Sequence, residues 1–312
     1  ARKTEGEGSE IIVDAALEFI RQARDGKQPF LAVVWFGSPH DPHQGTPLDL
    51  ALYADQPKAQ QHFLAEITAM DRAMGKLRRQ LRELGVAGNT VLWYCSDNGA
   101  IKQGSTGGLR GGKNTVWEGG LRVPGLLEWP ARFPSPRVID VPCGTVDIFP
   151  TLLELAGSKP PDTRPLDGIS LVPLLEGRVK ERPKPLGFWH YAIGGVPVKS
   201  TQLLETLAKE QAEGKVRPAA EVEPIPATQL ENDYPADQFR GHSAWLEGDW
   251  KLHRVEAKTG GEPKWELCNL ATDRTESRDL AGAEPARVTK MKRDMDAWLR
   301  SVVASLNGLD YR

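Results

Sequence analysis

The α/β character of the chain is set by Thr90–Gly99, which reads TVLWYCSDNG. Its continuous apolar run is typical of a strand that helices cover on both faces, and Phe30–Phe36 (FLAVVWF) has the same character. A third candidate strand spans Val123–Trp129. Between the first two runs, Phe63–Leu84 has apolar residues at alternating spacings of four and three and is followed by Gly85. Strands that alternate with a helix predict an α/β fold with a mostly parallel sheet flanked by helices.

Two more helical patterns belong to this first domain. One covers residues of about 10–24 and is predicted to begin at Ser9 as its N-cap. The other follows Asp147, whose carboxylate can cap the helix. Prolines then become dense over Pro160–Pro185, where a regular element cannot continue. We therefore predict a first domain over residues 1–180.

Beyond it the pattern changes to short strands and one amphipathic helix. They predict a smaller C-terminal α+β domain over residues 181–312, with an antiparallel sheet and a terminal helix. A polar stretch of about 196–240, rich in Glu, Ala, Pro and Gln, is predicted to be an insertion. The predicted strands are Leu186–Tyr191, Ala244–Leu246, Trp250–His253 and Trp265–Leu270, and the predicted helix is Pro285–Leu306.

Charge and composition exclude several classes of function. The 40 Lys and Arg residues nearly balance the 42 Asp and Glu residues, so the net charge is −2 and offers no global field for nucleic acid or an acidic membrane. No apolar run approaches the 18 or more residues of a membrane span. Three cysteines are too few for a disulfide framework, and none is spaced for a structural zinc site. A nucleic-acid or membrane-surface role is therefore disfavoured.

The residues that can carry chemistry follow the strands. Functional groups of an open parallel sheet collect beyond the carboxyl ends of its strands, where His40, Asp97 and Asn98 are predicted to lie. The carboxylate of Asp97 and the amide oxygen of Asn98 suit Ca²⁺ or Mg²⁺. Lys113 ends the glycine-rich stretch Gly107–Lys113 and can neutralise an anion. Taken singly, Asp-Asn-Gly is typical of a turn and His40 of a solvated loop.

The other histidines and Asp147 are predicted to be structural. We expect His43 at the surface beside His40, and Asp147 as a helix cap. We expect His62 on the polar side of its helix, whereas His190, His242 and His253 have no spacing typical of a metal site.

Two segments in sequence carry a resemblance to a known family. Ser96–Gly99 and Gly104–Pro124 together closely resemble the signature block of the formylglycine-dependent sulfatases, which belong to the alkaline phosphatase superfamily. The resemblance extends over nearly all the chain except residues of about 196–240. Supporting segments occur in family order, namely Ser38–Pro42, Ala65–Asp71, Val146–Thr151 and Gly248–Leu252.

The resemblance implies a role for each candidate residue. Asp97 and Asn98 correspond to two ligands of a divalent ion, usually calcium, with Mg²⁺ the less expected ion. Lys113 corresponds to the lysine that contacts the sulfate, and His40 to the histidine beside the ester oxygen, where it can protonate the leaving alcohol. The implied activity is hydrolysis of a carbohydrate or aryl sulfate ester, so the implied partner is a small-molecule or glycan sulfate ester. The resemblance also implies export to the periplasm or the exterior.

The chain departs from the family pattern at its N-terminal side. The family's nucleophile is a formylglycine made in the motif Cys/Ser-x-Pro/Ala-x-Arg, and none of Cys95, Cys143, Cys268 or Ser158 begins that motif. The family's N-terminal pair of acidic ligands is missing too, and the first residue is Ala1 without an apolar leader. We therefore expect the chain to be the C-terminal major part of a sulfatase, with formylglycine in a preceding segment. The alternatives are a non-catalytic protein that binds sulfated glycans and a phosphate or phosphonate ester hydrolase.

Overall fold

The structure is a computed structural model, and it describes residues 4–160, 162–191, 200–215, 234–257 and 261–311. Two compact units can be distinguished by their internal contacts. The first unit comprises Ala1–Ser96, Ala100–Ser105 and Val123–Arg137, and the second unit comprises Asp97–Gly99, Thr106–Arg122 and Val138–Arg312.

Two long helices form the core of the first unit, with the short helix α2 (Pro47–Ala51) beside them. The helix α3 (Lys58–Glu83) follows the predicted apolar spacing, because residues three or four apart share one helical face. The helix α1 (Gly8–Asp25) forms where a helix is predicted, but its packed face differs from the predicted face of Ile12, Ala16, Phe19 and Ile20, and Phe19 is 47% exposed. Gly85 follows the end of α3 with a φ of 72°, the left-handed conformation expected just past a helix. The packed residues are Val13, Leu17, Ile20, Ala73, Leu77 and Leu81.

The predicted N-cap of α1 is wrong. Glu7 takes this position, and its carboxylate accepts the N–H of Glu10. Ser9 lies inside the helix, buried, and its hydroxyl donates to Glu7 at 3.1 Å. The Glu7 carboxylate lies two residues earlier and satisfies a free N–H group of the first turn, so the helix begins at Gly8.

The mostly parallel sheet is not confirmed. The strands β1 (Leu92–Cys95) and β2 (Gly125–Glu128) form where strands are predicted, but they pair with each other in antiparallel register. Phe30–Phe36 is not a strand, and its Trp35 side chain is 84% exposed. Across the described residues both sheets are antiparallel. An apolar run predicts that a segment can be buried, whereas strand direction depends on the distant segment that pairs with it.

The second unit contains the predicted C-terminal antiparallel sheet. Its strands are β3 (Leu186–His190), β4 (His242–Glu247), β5 (Trp250–Val255) and β6 (Lys264–Asn269), in the order β3-β4-β5-β6. The helix α8 (Pro285–Leu306) matches its predicted bounds and buries one apolar stripe against the sheet. The shared core contains Trp245, Leu252, Leu267, Met291, Met295 and Leu299.

Shorter helices complete the second unit. They are α4 (Glu118–Leu121), α5 (Ile148–Leu155), α6 (Val172–Leu175) and α7 (Ser200–Ala212). The helix α7 falls in the predicted insertion, of which residues 196–199 and 216–233 lie outside the described part. No helix in the described ranges is both long and apolar enough to span a bilayer.

Asp147 is buried, and the prediction that its carboxylate caps the following helix is wrong. It precedes α5, yet its side chain makes no cap hydrogen bond to that helix. Its carboxylate instead accepts the N–H groups of Gly144 and Ile169, each at 2.8 Å. Arg182 donates to both carboxylate oxygens, also at 2.8 Å. The residue therefore joins three separate segments, which local sequence cannot reveal.

Candidate active site

The predicted ion ligands lie on a turn that is closely packed in the second unit. The N–H of Gly99 donates to the carbonyl of Gly120 at 2.8 Å. A Cβ atom at Gly99 would lie 1.9 Å from the carbonyl oxygen of Gly119, so only glycine fits. Asp97 is exposed and Asn98 is half-buried. The turn is therefore fixed against the start of α4, with its carboxylate facing solvent.

Lys113 lies in a loop that is closed at its base. The N–H of Gly119 donates to the carbonyl of Arg110 at 2.7 Å, which brings the two ends of the loop together. Gly111 has a φ of 78°, and a Cβ atom there would lie 2.4 Å from Thr115 Oγ1. Glycine is required at this position by both backbone conformation and space. Lys113 lies between Arg110 and Gly119 in sequence, and its side chain is half-buried.

The second unit thus contains three of the four predicted site residues. The turn of Asp97 and Asn98 contacts Gly119 and Gly120, which end the Lys113 loop. A carboxylate and an amide oxygen suit calcium in kind, but calcium takes six to eight oxygens. No cluster of three or more His, Cys, Asp or Glu side chains able to hold a metal occurs in the described ranges. These residues therefore fit part of a calcium site and do not form a complete one.

His40 lies in the first unit, on an exposed loop. Its Nδ1–H donates to the main-chain oxygen of Asp41 at 2.9 Å. The neighbouring His43 is not at the surface as predicted, because its side chain is only 6% exposed. Its Nδ1 donates to Glu66 Oε2 at 3.0 Å, while its Nε2 lies 3.1 Å from Asp41 Oδ1 without hydrogen-bond alignment.

Glu66 is a residue that sequence reasoning missed. It is buried on α3, and its Oε1 accepts the N–H of Gln44 at 2.7 Å while Oε2 binds His43. One turn earlier, Nδ1 of His62 accepts the N–H of Gly45 at 3.1 Å. The helix therefore anchors the loop that follows His40. The available signal was a carboxylate on the apolar stripe of the helix, a position that is rarely charged unless it is paired.

A buried polar cluster in the second unit was also missed. The rings of His242 and His253 are joined by a 3.0 Å contact between Nε2 and Nδ1, and His253 Nε2 lies 2.7 Å from Glu276 Oε1. Burial lowers the pKa of His242 to about 3 and also lowers that of His253. Burial would raise the pKa of Glu276, but the His253 hydrogen bond and the Lys251 charge hold it below its ordinary value. The cluster therefore has neutral histidines beside an ionised carboxylate at neutral pH.

A family model of known proteins matches the part of the chain that contains the two loops. The family model described as Sulfatase matches residues 3–158, half of the chain, and this range includes the Asp97 turn and the Lys113 loop. The chain belongs to the sulfatase family. Because the matched range includes both signature loops, the expected resemblance to the sulfatases is confirmed.

Individual sulfatases match over part of their length. The chain is 36% identical to rat (Rattus norvegicus) steryl-sulfatase over 190 residues, which cover 58% of this chain and 32% of that protein. It is 34% identical to pig (Sus scrofa) N-acetylgalactosamine-6-sulfatase over 182 residues, or 56% of this chain and 34% of that protein. The match therefore spans about a third of the length of these relatives.

A solved structure shares the fold. The crystal structure of Ps i-CgsB in complex with k-i-k-neocarrahexaose superposes with a TM-score of 0.71 at 23% identity. The superposition covers 96% of this chain and 59% of that chain. At this identity the likeness shows a shared fold.

Proposed function

We propose that this chain forms part of the active site of a sulfuric ester hydrolase that acts on a carbohydrate or aryl sulfate ester. The observation that carries the proposal is the Gly99 hydrogen bond to Gly120, because it joins the Asp97 turn to the Lys113 loop in one unit. The ammonium of Lys113, together with a divalent ion that the oxygens of Asp97 and Asn98 would help to hold, suits a tetrahedral oxyanion. Export of the whole protein is part of the same proposal.

Each predicted residue has a defined task in this proposal. The Lys113 ammonium contacts the sulfate oxygens and stabilises the negative charge that grows as the ester bond breaks. His40 gives a proton to the leaving alcohol oxygen. Asp97 and Asn98 supply two oxygen ligands to Ca²⁺, which takes further ligands from elsewhere in the complete protein.

The names of relatives support the substrate class. The relatives include enzymes named for sulfated N-acetylgalactosamine and for a steroid sulfate, and one is named arylsulfatase G. The fold neighbour was crystallised with neocarrahexaose, an oligosaccharide. We therefore propose a sulfate ester of a sugar or of an aromatic alcohol as the ligand.

Binding of 4-nitrophenyl sulfate to the 312-residue chain tests the role of Lys113. Isothermal titration calorimetry compares wild type, Lys113→Met and the matched variant Lys159→Met, whose lysine is exposed in the same unit. A charge-assisted hydrogen bond contributes about 1.5–3 kcal/mol, so Lys113→Met should weaken binding about tenfold to a hundredfold. Lys159→Met should bind like wild type.

Two outcomes would contradict the proposal. Equal affinity of wild type and Lys113→Met would remove the lysine from the anion site. Tighter binding of 4-nitrophenyl phosphate than of 4-nitrophenyl sulfate would favour the phosphate or phosphonate ester alternative, since a cationic site suits either anion.

A further inference from the structure

The second unit buries a lysine to which the proposed function gives no task. Lys251 lies in β5, and its side chain is 0% exposed. Its Nζ lies 2.8 Å from Glu118 Oε1 and 2.9 Å from Glu276 Oε1, and both carboxylates are buried. A buried ammonium is tolerated only when it is paired. The lysine therefore ties β5 to two segments that are distant in sequence.

Glu276 joins the same segments by a second route. Its Oε2 accepts the main-chain N–H of Glu118 at 2.6 Å, while Oε1 accepts from His253 and Lys251. Its φ of 53° lies in the left-handed region, which is unfavourable for a residue with a Cβ atom. Such a conformation persists only where surrounding contacts impose it. The carboxylate is thus held in place by several independent contacts.

Arg110, at the N-terminal end of the Lys113 loop, also contacts Glu276. Arg110 Nη1 donates to Glu266 Oε2 at 2.8 Å and to the main-chain oxygen of Glu276 at 3.0 Å. Its guanidinium lies 3.4 Å from the ring centroid of Trp117, whose ring centroid is 3.9 Å from that of His253. Both ends of the loop therefore rest on residues of the C-terminal sheet and on Glu276.

We propose that Lys251 and Glu276 are positioning residues for Lys113. They hold the base of the loop Arg110–Gly119, and they thereby set the place of the Lys113 ammonium relative to the Asp97 turn. The loop has its own base hydrogen bond and its own contact between Arg110 and Trp117, but Glu266 and Lys251, the ion-pair partners of Arg110 and Glu118, lie outside it. The expected loss of affinity for a sulfate ester rests on the proposed function, whereas the expected faster exchange of the loop amides does not.

Hydrogen–deuterium exchange of the 312-residue chain tests the effect on the loop. Glu276→Gln keeps the size of the side chain and removes its charge, so the amides of Gly119 and Gly120 should exchange at least about tenfold faster. Leu299→Ala is the matched control, because it removes a core contact between α8 and the sheet and lowers global stability. Its Gly119 and Gly120 amides should keep the wild-type rate.

Affinity for 4-nitrophenyl sulfate gives the second measurement. Glu276→Gln should bind the ester about tenfold more weakly than wild type, and Leu299→Ala should bind it like wild type. The double variant Lys113→Met, Glu276→Gln should bind no more weakly than Lys113→Met alone, because Glu276 acts through Lys113. Losses that simply multiply would show that Glu276 does not act through Lys113. If wild type fails to bind the ester, the proposed function fails while the exchange rates still test the positioning role.

Unchanged exchange at Gly119 and Gly120 in Glu276→Gln would overturn the inference. So would equal acceleration in Glu276→Gln and Leu299→Ala, because the network would then support only the global fold. Glu118→Gln serves if Glu276→Gln does not fold, since Lys251 then keeps Glu276 as its partner. The same faster exchange is expected in Glu118→Gln, and wild-type rates there would refute the proposal.

Discussion

Replacing Gly99 by alanine should separate the Asp97 turn from the Lys113 loop. The new Cβ atom would lie 1.9 Å from the Gly119 carbonyl oxygen and 2.8 Å from Gly120 Cα. Real Cβ contacts essentially never fall below 3.0 Å, so the backbone must move by about 1 Å. The atoms in the way belong to the main chain of buried glycines, which have no side chain to rotate aside.

The expected cost follows from two effects. Overpacking in a closely packed region costs about 1–3 kcal/mol, and the displaced turn loses the 2.8 Å hydrogen bond from Gly99 to Gly120, which contributes about 1 kcal/mol. Gly99→Ala should therefore lower the free energy of unfolding by about 2–4 kcal/mol. Affinity for 4-nitrophenyl sulfate should fall as well, because the two loops no longer share one geometry.

Equilibrium urea unfolding measures this difference, with Gly282→Ala as the control. Gly282 lies in the same unit, and a Cβ atom there meets no atom within 4 Å. The control should stay within about 0.5 kcal/mol of wild type or become slightly more stable, because alanine restricts the unfolded chain. Equal stability of the two variants would refute the argument from close approach.

Two further predictions concern buried charge. Arg182→Met removes the two hydrogen bonds from Arg182 to Asp147 and leaves a buried carboxylate with two main-chain donors, so urea unfolding should show a loss of about 3–5 kcal/mol; a loss below about 1 kcal/mol would contradict it. The pKa values of His242 and His253 are lowered in the folded state. Between pH 6.5 and about 3 the unfolded chain therefore binds more protons at His242, and the free energy of unfolding should fall as the pH falls, by up to about 1.4 kcal/mol per pH unit. The lowered pKa of His253 should add a contribution of the same sign below pH 6.5. A flat profile in urea unfolding, or one that His242→Gln leaves unchanged, would contradict the second prediction.

The helices and the C-terminal strands could be predicted because their signals are local. A helical spacing of apolar residues predicts that α1 exists without reference to the rest of the chain, although the structure buries the face of Val13, Leu17 and Ile20 and leaves Phe19 47% exposed. The same holds for α8, whose bounds match the prediction. Strand direction is different, because it depends on the partner segment. The predicted parallel neighbours of Leu92–Cys95 are therefore replaced by an antiparallel pair with Gly125–Glu128.

Family membership and the candidate residues were readable from the linear motif. The Asp97 turn and the Lys113 loop lie close together in sequence, and their ordered combination carries the family resemblance, whereas Asp-Asn-Gly taken singly is typical of a turn. The ion-ligand and catalytic roles of His40, Asp97, Asn98 and Lys113 stay predictions.

The buried contacts around the Lys113 loop could not be predicted from the sequence, because they form only in the folded chain. A lysine, a glutamate and a histidine in sequence predict solvated side chains, yet Lys251, Glu276 and His253 are buried together. Burial of such groups is favourable only when partners from distant segments satisfy every charge and hydrogen bond at once. Because those partners meet only in the folded chain, local residue patterns carry the helices and the motif, and long-range pairing decides what holds the motif in place.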